Sequence, residues 1–326
     1  MGLRFGIIGC GVISARFAEA LKLSENGVLY AAAARELERA KKFAKEHGAE
    51  KVYADYESLI EDENVDAVYI GLIHTEHYRV ARLCVEHGKA VLCEKPFFMN
   101  SEEAKELKAF AEEKKVLIME AMWTRTMPAF QTAKKWIQDG KIGKVKIIQA
   151  NFCSIYPFNE QTRDLRLWNP KLGGGALLDV GVYPYEYMTG LLDEYPDHFE
   201  GVVHESETGV DASVAFTMHF KSGVIGVGMA SLDARMSEDA IISGSDGYII
   251  QYDFFRTTKC EIFNNQNELV ESFEEPVQDG LIYEIEHFVN LYQSGQLYSP
   301  IITMDDCIDF ITHAEILLKE LSGTEQ

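Results

Sequence analysis

The first 122 residues alternate short apolar runs with polar segments of helical length, and this alternation restricts the fold more than any other feature of the chain. Continuous apolar strands joined by helices form a parallel sheet with helices on both faces, because crossover connections are right-handed. We therefore predict a doubly wound α/β domain over residues 1–122. Its predicted strands are "RFGIIG", "VLYAAAA", "DAVYIGLI", "AVLCEK" and "VLIMEA", with helices at 14–24, 36–47, 75–87 and 101–114.

After residue 122 the pattern changes to strand-like runs that follow one another without helices between them. Successive strands of this kind indicate an antiparallel or mixed sheet. We predict a second domain over residues 123–326, of the α+β class, with a large open sheet. Its predicted strands are "KVKIIQANFCS", "DASVAFTMHF", "GVIGVGMASL", "DAIISGS", "GYIIQYD", "KCEIF" and "ELVESF", and its predicted helices span 173–190, 279–294 and 304–321.

Charge and hydrophobicity exclude several classes of partner. The net charge of the 326 residues is −21, and residues 123–326 carry 14 Lys and Arg against 31 Asp and Glu. This acidic balance repels nucleic acid and anionic membrane surfaces. No apolar run approaches the roughly 20 residues of a membrane helix, and the first residues lack the pattern of a signal peptide. We therefore expect a cytoplasmic protein that binds neither nucleic acid nor membrane.

The six cysteines are scattered along the chain without a C-x-x-C spacing. Such a distribution favours reduced, mostly buried thiols over a disulfide framework or a zinc site. We therefore expect no metal.

The segment "IIGCGVIS" follows the first predicted strand and opens the first predicted helix. Gly9, Gly11 and Ser14 occupy the positions of the G-x-G-x-x-G dinucleotide fingerprint, in the context that the fingerprint requires. Gly9 permits a tight turn, and Gly11 lets the backbone approach a pyrophosphate. Val12 and Ile13 begin the helix, whose first N–H groups are free to bind phosphate. The prediction is a dinucleotide site, and the alternative is a glycine turn that binds no ligand.

The end of the second strand distinguishes the two nicotinamide dinucleotides. An enzyme that prefers NAD usually carries an acid there for the adenosine ribose, whereas this chain has Ala34 followed by Arg35. A guanidinium group binds a 2′-phosphate bidentately, so we predict a preference for NADP, with Arg35 as its ligand and Arg39 as support. The adjacent Glu36 keeps NAD possible, and the alternative for Arg35 is an ordinary solvated residue.

The segment "CEKPF" places Glu94, Lys95 and Pro96 just past the carboxyl end of a predicted strand. Ligands of doubly wound sheets bind at that edge. A lysine at a buried strand end is costly unless it is paired or used in chemistry, so a functional Lys95 is favoured over a structural one. Pro96 stiffens the loop that carries the lysine.

Three segments occur in an order and spacing that resemble one known family: "GIIGCGVIS", "GLIHTEHYRVARLCVEHGKAVLCEKP" and "GGGALLDVGVYPY". Over essentially its whole length the chain is similar to oxidoreductases of the glucose-fructose oxidoreductase and inositol dehydrogenase (GFO/IDH/MocA) family. Within it, "EAMWTRTMP" at 120–128, "ETGVD" at 207–211 and Tyr183 resemble the branch of dimeric dihydrodiol dehydrogenases and NADP-dependent xylose dehydrogenases. The resemblance implies a Rossmann domain followed by an α/β domain whose open sheet pairs in a homodimer.

The resemblance also implies the catalytic residues. Lys95 is expected to contact substrate and cofactor, and Asp179 and Tyr183 to complete the site from the second domain. Many relatives carry histidine at the position of Tyr183, so the tyrosine argues against an inositol-like activity.

Reaction chemistry supports these roles independently. Oxidation of a secondary alcohol requires a base within hydrogen-bond reach of the hydroxyl group. Tyr183 is the candidate, since a nearby ammonium group, such as that of Lys95, lowers the pKa of a phenol from about 10. Asp179 lies four residues earlier, on the same face of a predicted helix, and is expected to orient a substrate hydroxyl or Lys95. The alternative makes Tyr183 a core aromatic residue and Asp179 a helix cap.

Further cofactor contacts are expected from the resemblance. Leu72 and His74 stand where relatives commonly carry the Thr and Asn of a T-P-N-x-x-H segment, and His77 matches its histidine. An ordinary helix-cap or core histidine is an equal alternative for both histidines. Glu94 and Trp168 are further predicted contacts, with Trp168 nearest the nicotinamide. Three more side chains fit either the active site or the core, namely Trp123, Arg125 and Arg166.

The sequence thus predicts an NADP-dependent oxidoreductase that transfers hydride between nicotinamide and the hydroxyl of a sugar or cyclic diol, or the corresponding carbonyl. Two alternatives stay open: an NAD-linked polyol or sugar dehydrogenase, and a non-catalytic nucleotide sensor. The joint presence of Lys95, Asp179 and Tyr183 favours the enzyme.

Overall fold

A computed structural model describes residues 2–321. The strands are β1 (Leu3–Ile8), β2 (Gly27–Ala33), β3 (Lys51–Tyr53), β4 (Ala67–Ile70), β5 (Ala90–Glu94), β6 (Ile118–Ala121), β7 (Val145–Cys153), β8 (Pro196–Glu205), β9 (Asp211–Phe220), β10 (Ile225–Ser231), β11 (Ala240–Gly244), β12 (Gly247–Tyr252), β13 (Lys259–Asn264) and β14 (Leu269–Glu274). The helices are α1 (Val12–Leu21), α2 (Leu37–His47), α3 (Tyr56–Glu61), α4 (His74–Glu86), α5 (Ser101–Lys114), α6 (Pro128–Gln138), α7 (Val182–Leu192), α8 (Leu281–Gln293) and α9 (Met304–Leu321). These elements form two compact units: unit 1 is Met1–Met122 with Asp279–Ile308, and unit 2 is Trp123–Gln278 with Asp309–Gln326.

Unit 1 contains a six-stranded parallel sheet in the order β3-β2-β1-β4-β5-β6. Strands β4 and β5 are buried along their whole length, which explains their continuous apolar sequences. Tyr69 of β4 stacks on Phe17 of α1 with ring centroids 3.7 Å apart. The strand order reverses between β1 and β4, so the carboxyl ends of these strands form the edge where such sheets bind ligands. The predicted doubly wound fold is confirmed.

Residues 279–308 belong to unit 1, whereas the sequence prediction placed all of 123–326 in the second domain. Helix α8 packs on α1, and Phe288 lies 5.9 Å from Phe5 between ring centroids. Arg16 donates two hydrogen bonds, of 2.7 and 2.8 Å, to the carboxylate of Asp279. The prediction was wrong here because the apolar face of a helix indicates that a core covers it, but not which core.

Unit 2 contains an eight-stranded sheet in the order β14-β13-β12-β11-β7-β10-β9-β8. Only the β7–β10 pair is parallel among the pairs of this sheet that the structure describes, so the predicted mixed sheet is confirmed. Helices α6 and α7 pack against strands of the sheet and against each other, through Phe130 and Tyr187. Several apolar side chains of the sheet are exposed, among them Ile147, Ile225 and Ile241, which are 40–46% exposed.

Four elements were absent from the sequence prediction: β3, α3, α6 and β8. Strand β3 has three residues and α3 has six, which is too short for a clear periodicity. Helix α6 begins with Pro128 at its first position, a favoured start that the prediction overlooked. Strand β8 alternates exposed and half-buried side chains, so it lacks the apolar run that marks the other strands.

Within residues 2–321 no helix is both long and apolar enough to cross a membrane. All six cysteines are free thiols. Burial raises the pKa of the Cys84 and Cys93 thiols, so these two side chains are neutral packing residues.

Candidate active site

The turn after β1 holds two glycines in different environments. Gly9 has a φ of +94°, and a Cβ atom there would lie 2.5 Å from the carbonyl oxygen of Gly71, so only glycine fits. A Cβ atom on Gly11, the residue before α1, would meet no described atom within 4 Å. No side chain caps α1 within the described chain, and its first turn carries no acid. The helix start is therefore open to an anionic group.

Ser14 replaces the third glycine of the fingerprint without keeping the helix away from the sheet. It is fully buried, and a Cβ atom on Gly71 would lie 2.2 Å from its Oγ atom. The close approach of α1 to the end of β4 thus depends on a glycine in the strand segment rather than in the helix. Val12 is 91% exposed and Ile13 is half-buried, and their predicted cofactor contacts stay predictions.

Two exposed arginines follow β2. Nη2 of Arg39 donates to the carbonyl oxygen of Cys10 in the glycine turn at 3.4 Å. Arg35 forms no hydrogen bond or ion pair with any residue in the described range. Burial raises the pKa of the Tyr56 phenol, and the charge of Arg35 opposes that rise, so Arg35 lies close to Tyr56. Unit 1 therefore has an unpaired guanidinium group near its glycine turn.

His77 connects the loop after β4 to the loop after β5. Its Nδ1 atom lies 2.9 Å from the carbonyl oxygen of Pro96, and its Nε2 atom lies 3.2 Å from that of Leu72. Both ring nitrogens face protein carbonyls, which favours the core-histidine alternative for His77. His74 begins α4 and is buried, with its ring centroid 5.8 Å from that of His77. The cofactor contacts of Leu72, His74 and His77 stay predictions.

Glu94 ends β5, and Lys95 follows it through a segment in which the Lys95–Pro96 peptide bond is cis. Glu94 is buried and accepts a hydrogen bond of 2.5 Å from the hydroxyl of Tyr69. Burial raises the pKa of Glu94, while the Tyr69 hydrogen bond and the Lys95 charge oppose the rise. Lys95 itself is half-buried. The structure thus places Glu94 inside unit 1, and Lys95 at the ligand edge of the sheet.

A second buried acid lies near Glu94. Glu284 of α8 is fully buried, and neither of its carboxylate oxygens has a hydrogen-bond partner among the described residues. Burial raises its pKa well above 4.5, the charge of Glu94 raises it further, and Arg16 partly opposes both. Glu284 therefore favours its protonated form more strongly than a solvent-exposed carboxylic acid does.

In unit 2 the segment "GGGALLDVGVYPY" forms one continuous helical stretch. Residues Leu177–Gly181 form a π-helical turn, and α7 follows directly. Asp179 belongs to the π turn and Tyr183 to the first turn of α7, and both are buried among apolar neighbours. The expected helix is present, but the π turn, a feature that is frequent at functional sites, was not predicted.

Asp179 and Tyr183 each bind a side chain from another part of unit 2. Nη1 of Arg166 lies 2.7 Å from Oδ1 of Asp179 in an ion pair. The indole N–H of Trp123 donates to the hydroxyl oxygen of Tyr183 at 3.3 Å. These contacts place Trp123 and Arg166, whose roles the sequence left open, beside the two predicted catalytic side chains of unit 2.

Sequence reasoning overlooked three aromatic residues of this region, Phe152, Tyr156 and Phe255. The rings of Phe152 and Phe255 lie 5.3 and 5.7 Å from that of Tyr183. The Asp179 charge adds to the effect of burial in raising the pKa of Tyr156, so Tyr156 lies near that carboxylate. No short motif contains these residues, because they come from β7, from the segment after it and from the segment after β12.

Asp211 ends the "ETGVD" segment and was not predicted to be a site residue. Its buried Oδ2 atom accepts a hydrogen bond of 2.5 Å from the N–H of Leu177, and the N–H of Ala176 also binds the carboxylate. Gly175 has a φ of +118°, and a Cβ atom there would lie 1.9 Å from Oδ1 of Asp211. Burial raises the pKa of Asp211 to about 7, although its hydrogen bonds oppose the rise.

Two further candidate residues are held by structural partners. Arg125 and Glu186 form an ion pair of 2.6 Å and are at most 3% exposed, so Arg125 belongs to the core of unit 2. Trp168 is also buried, and its indole N–H donates to the carbonyl oxygen of Pro157 at 3.2 Å. The contact of Trp168 with a nicotinamide ring stays a prediction.

Comparison with protein families identifies both units. The model of an oxidoreductase family with an NAD-binding Rossmann fold (GFO/IDH/MocA) matches residues 3–122, and the model of the GFO/IDH/MocA C-terminal domain matches residues 130–250. Trans-1,2-dihydrobenzene-1,2-diol dehydrogenase of Sus scrofa is 34% identical over 315 residues, which cover 93% of this chain and 92% of that protein. The chain belongs to the GFO/IDH/MocA family. The family predicted from the sequence is confirmed.

Further relatives and solved structures are similar over nearly the whole chain. The trans-1,2-dihydrobenzene-1,2-diol dehydrogenase of Xenopus laevis is 34% identical, with 98% of both chains covered. KijD10, a 3-ketoreductase from Actinomadura kijaniata solved with NADP and TDP-benzene, has a TM-score of 0.84 and 26% identity over 97% of both chains. Levoglucosan dehydrogenase has a TM-score of 0.87 at 20% identity, over 99% of this chain and 98% of that one, and it supports the fold.

Membership of the GFO/IDH/MocA family makes the chain an NAD(P)-dependent oxidoreductase. The geometry of unit 1 fits a dinucleotide, because the start of α1 is uncapped and the space beside Gly11 is open. Arg35, which has no hydrogen-bond or ion-pair partner in the described chain, follows the carboxyl end of β2 at the same edge of the sheet.

Proposed function

We propose that the protein is an NADP-dependent oxidoreductase that acts on a hydroxyl of a sugar or cyclic diol, or on the corresponding carbonyl. The observation that carries the proposal is the helical segment of unit 2 that buries Asp179, paired with Arg166, together with Tyr183. The named substrates of the relatives support this class, since the Sus scrofa enzyme is a dihydrodiol dehydrogenase and KijD10 is a ketoreductase.

For the cofactor, we assign the pyrophosphate to the glycine turn and the 2′-phosphate to Arg35, with Arg39 in support. When bound, the nicotinamide accepts or donates the hydride. An exposed guanidinium group with no carboxylate partner in the described chain suits a doubly charged phosphate, because no internal ion pair has to break. This absence of a partner supports NADP over NAD.

For proton transfer, we assign Tyr183. In the oxidation direction the Tyr183 phenolate takes the proton of the substrate hydroxyl, and in the reduction direction the phenol gives its proton to the carbonyl oxygen. The hydrogen bond from Trp123 to the Tyr183 oxygen holds that oxygen in a fixed orientation. Lys95 is assigned to bind the same substrate oxygen and to add positive charge, and Asp179 to orient a second hydroxyl.

Absorbance at 340 nm tests the activity directly. The purified chain is mixed with NADP or NAD and a panel of cyclic dihydrodiols and aldoses, or with NADPH and dicarbonyls. We expect turnover of at least one compound and a lower KM for NADP than for NAD. Nucleotide binding by calorimetry without turnover of any compound would instead identify a sensor.

The variant Tyr183→Phe tests the proton transfer. We expect kcat to fall by roughly two orders of magnitude, with the Kd of NADP unchanged. The matched control is Tyr185→Phe, which removes another buried phenol of α7. The hydroxyl of Tyr185 binds Asp309 and His313, so its loss lowers stability but leaves kcat within about threefold of the wild type. Near-normal turnover of Tyr183→Phe would remove that residue from the role.

We also propose that a second copy covers the open face of the sheet of unit 2. Ile225 and Ile147 are direct neighbours on adjacent strands and are each 46% exposed. An exposed apolar row of this kind is stabilised by association. Sedimentation equilibrium should give a dimer for the wild type and a monomer for Ile225→Lys, and a monomeric wild type contradicts the proposal. The acidic charge and the six free thiols support a cytoplasmic location.

A further inference from the structure

We propose that Asp211 is a positioning residue for the reaction: its carboxylate fixes the start of the helical segment that carries Asp179 and Tyr183. This inference rests on the proposed function of that segment. Asp211 does not need to touch the substrate, because it acts through the backbone of the segment.

The first observation is the way in which the helical segment begins. The first N–H groups of a helix have no partner within the helix, and a side chain of the preceding residue usually accepts from them. Here the preceding residue is Gly175, which has no side chain. Asp211, from a strand more than 30 residues further along the chain, takes this place and accepts from the N–H groups of Ala176 and Leu177. Gly175 is required because a Cβ atom would occupy the space of the carboxylate.

The second observation is the short path from this contact to the proposed site. Asp179 follows Leu177 by two residues in the same π turn, and its N–H donates to the carbonyl oxygen of Gly175 at 3.1 Å. Its partner Arg166 comes from a separate segment, which meets the start of the turn where the N–H of Gly175 donates to the carbonyl oxygen of Leu167 at 3.0 Å. A shift of the turn relative to that segment therefore changes the distance between Asp179 and Arg166, and the placement of Tyr183 against Trp123.

The third observation is the environment of the carboxylate. The charged side chains on the elements packed around Asp211 are Glu205, opposite it on β8, Asp179 with Arg166, and Asp233 beyond β10. Burial raises the pKa of Asp211 to about 7, and the negative charge of Glu205 contributes to the rise. Below that pH the group gains a proton, accepts the two N–H bonds less strongly, and presents an O–H donor of its own. The wild-type kcat is therefore expected to fall as the pH drops below about 7.

The main test is Asp211→Asn, which keeps the shape of the side chain but removes its charge and titration. We expect kcat to fall at least about tenfold at pH 8, and the Kd of NADP to stay within about twofold. The remaining kcat should no longer fall as the pH drops through about 7, because residue 211 no longer titrates. The proposal would be overturned if the variant had the kcat of the wild type and the same fall in kcat below about pH 7.

The control is Asp306→Asn, because Asp306 is also a buried aspartate that accepts a backbone N–H at the start of a helix. Its carboxylate accepts a hydrogen bond of 2.7 Å from the N–H of Thr303, the residue before α9. We expect a comparable loss of thermal stability and an unchanged pH profile of kcat. If Asp306→Asn alters the profile as Asp211→Asn does, the effect is a general loss of stability and the proposal is overturned.

Hydrogen–deuterium exchange of the wild type gives a second test that does not depend on folding of a variant or on turnover. After correction for intrinsic rates, residues 175–183 should be less protected at pH 6 than at pH 8, while residues 305–315 should not differ. Equal protection of both segments at the two pH values overturns the proposal. An active Tyr183→Phe would contradict the proposed function alone, since this exchange difference needs no catalysis.

Discussion

The two units hold their candidate site residues in different ways. In unit 1 the dinucleotide edge is built from backbone: Gly9 at positive φ, the open space beside Gly11 and an uncapped helix start. In unit 2 the site is built from side chains that bind one another, such as Arg166 with Asp179. The partners in unit 2 lie 13 to 60 residues apart in sequence, whereas the glycine turn is contained in a few residues.

This difference reflects what cofactor binding and proton transfer each require of the sequence. The pyrophosphate is assigned to backbone N–H groups, which every residue type except proline carries, so the requirement on the sequence is the absence of interfering side chains. Proton transfer requires a particular side chain in a fixed orientation, so its supports are other side chains. Substitutions in the glycine turn of unit 1 should therefore act on stability or cofactor affinity, and substitutions of Asp179 and Tyr183 in unit 2 on turnover.

The largest effect is expected for Gly9→Ala. An alanine is strained at a φ of +94°, and its Cβ atom would lie 2.5 Å from the Gly71 oxygen, so we expect a loss of roughly 3 kcal/mol in the free energy of unfolding. Gly11→Ala, which meets open space, is the matched control and should keep its stability but bind NADP at least about tenfold more weakly. Urea denaturation and calorimetry measure the two effects. Equal stability of both variants would contradict the role of the backbone in unit 1.

The next effect concerns Asp179→Asn in unit 2. Loss of the charge breaks the ion pair with Arg166, and we expect kcat to fall about 100-fold while the Kd of NADP is kept. Asp197→Asn removes a more exposed carboxylate of the same unit and serves as the control. Steady-state kinetics measures both variants. A variant that loses cofactor affinity instead of turnover would break the proposed separation between the units.

A smaller effect is expected for Arg35→Ser. Loss of one charge-assisted contact with a 2′-phosphate should raise the KM of NADP about tenfold and leave the KM of NAD within about twofold. Arg39→Ser should have a smaller effect in the same direction, because Nη2 of Arg39 already binds the Cys10 carbonyl. An equal change for both cofactors would assign Arg35 to a role other than 2′-phosphate recognition.

The smallest effect concerns Glu284→Gln. The pKa of Glu284 is raised above 4.5 in the folded protein, so the folded state holds its proton while the unfolded state releases it. Stability therefore falls as the pH rises above about 4.5, and the glutamine variant escapes this loss. Relative to the wild type, the Tm of the variant should increase by about 2–4 °C between pH 5 and pH 8. A pH-independent Tm difference would show that Glu284 is not a buried neutral acid.

The sequence predicted local features well and non-local ones poorly. The parallel sheet, the glycine turn and the strands β7 and β9–β14 follow from periodicity and short motifs, which depend on neighbouring residues. Trp123 and Arg166 were noticed, but their partners were not, since nothing in a local pattern joins Trp123 to Tyr183. In the sequence Asp211 is only an acidic residue at the start of a predicted strand. Its role depends on a missing side chain at Gly175, which no spacing rule connects to it.

The return of residues 279–308 to unit 1 has a consequence for biosynthesis. Unit 1 begins the chain, yet it lacks α8 and the Arg16–Asp279 pair until residue 293 has left the ribosome. The whole of Trp123–Gln278 emerges before that point, so the larger part of unit 2 is available to fold while the first unit is still incomplete. A fragment cut after Met122 would expose Phe5 and the carboxylate-binding side of Arg16 to water. The order in which the two units begin along the chain is therefore not the order in which they can complete their folding.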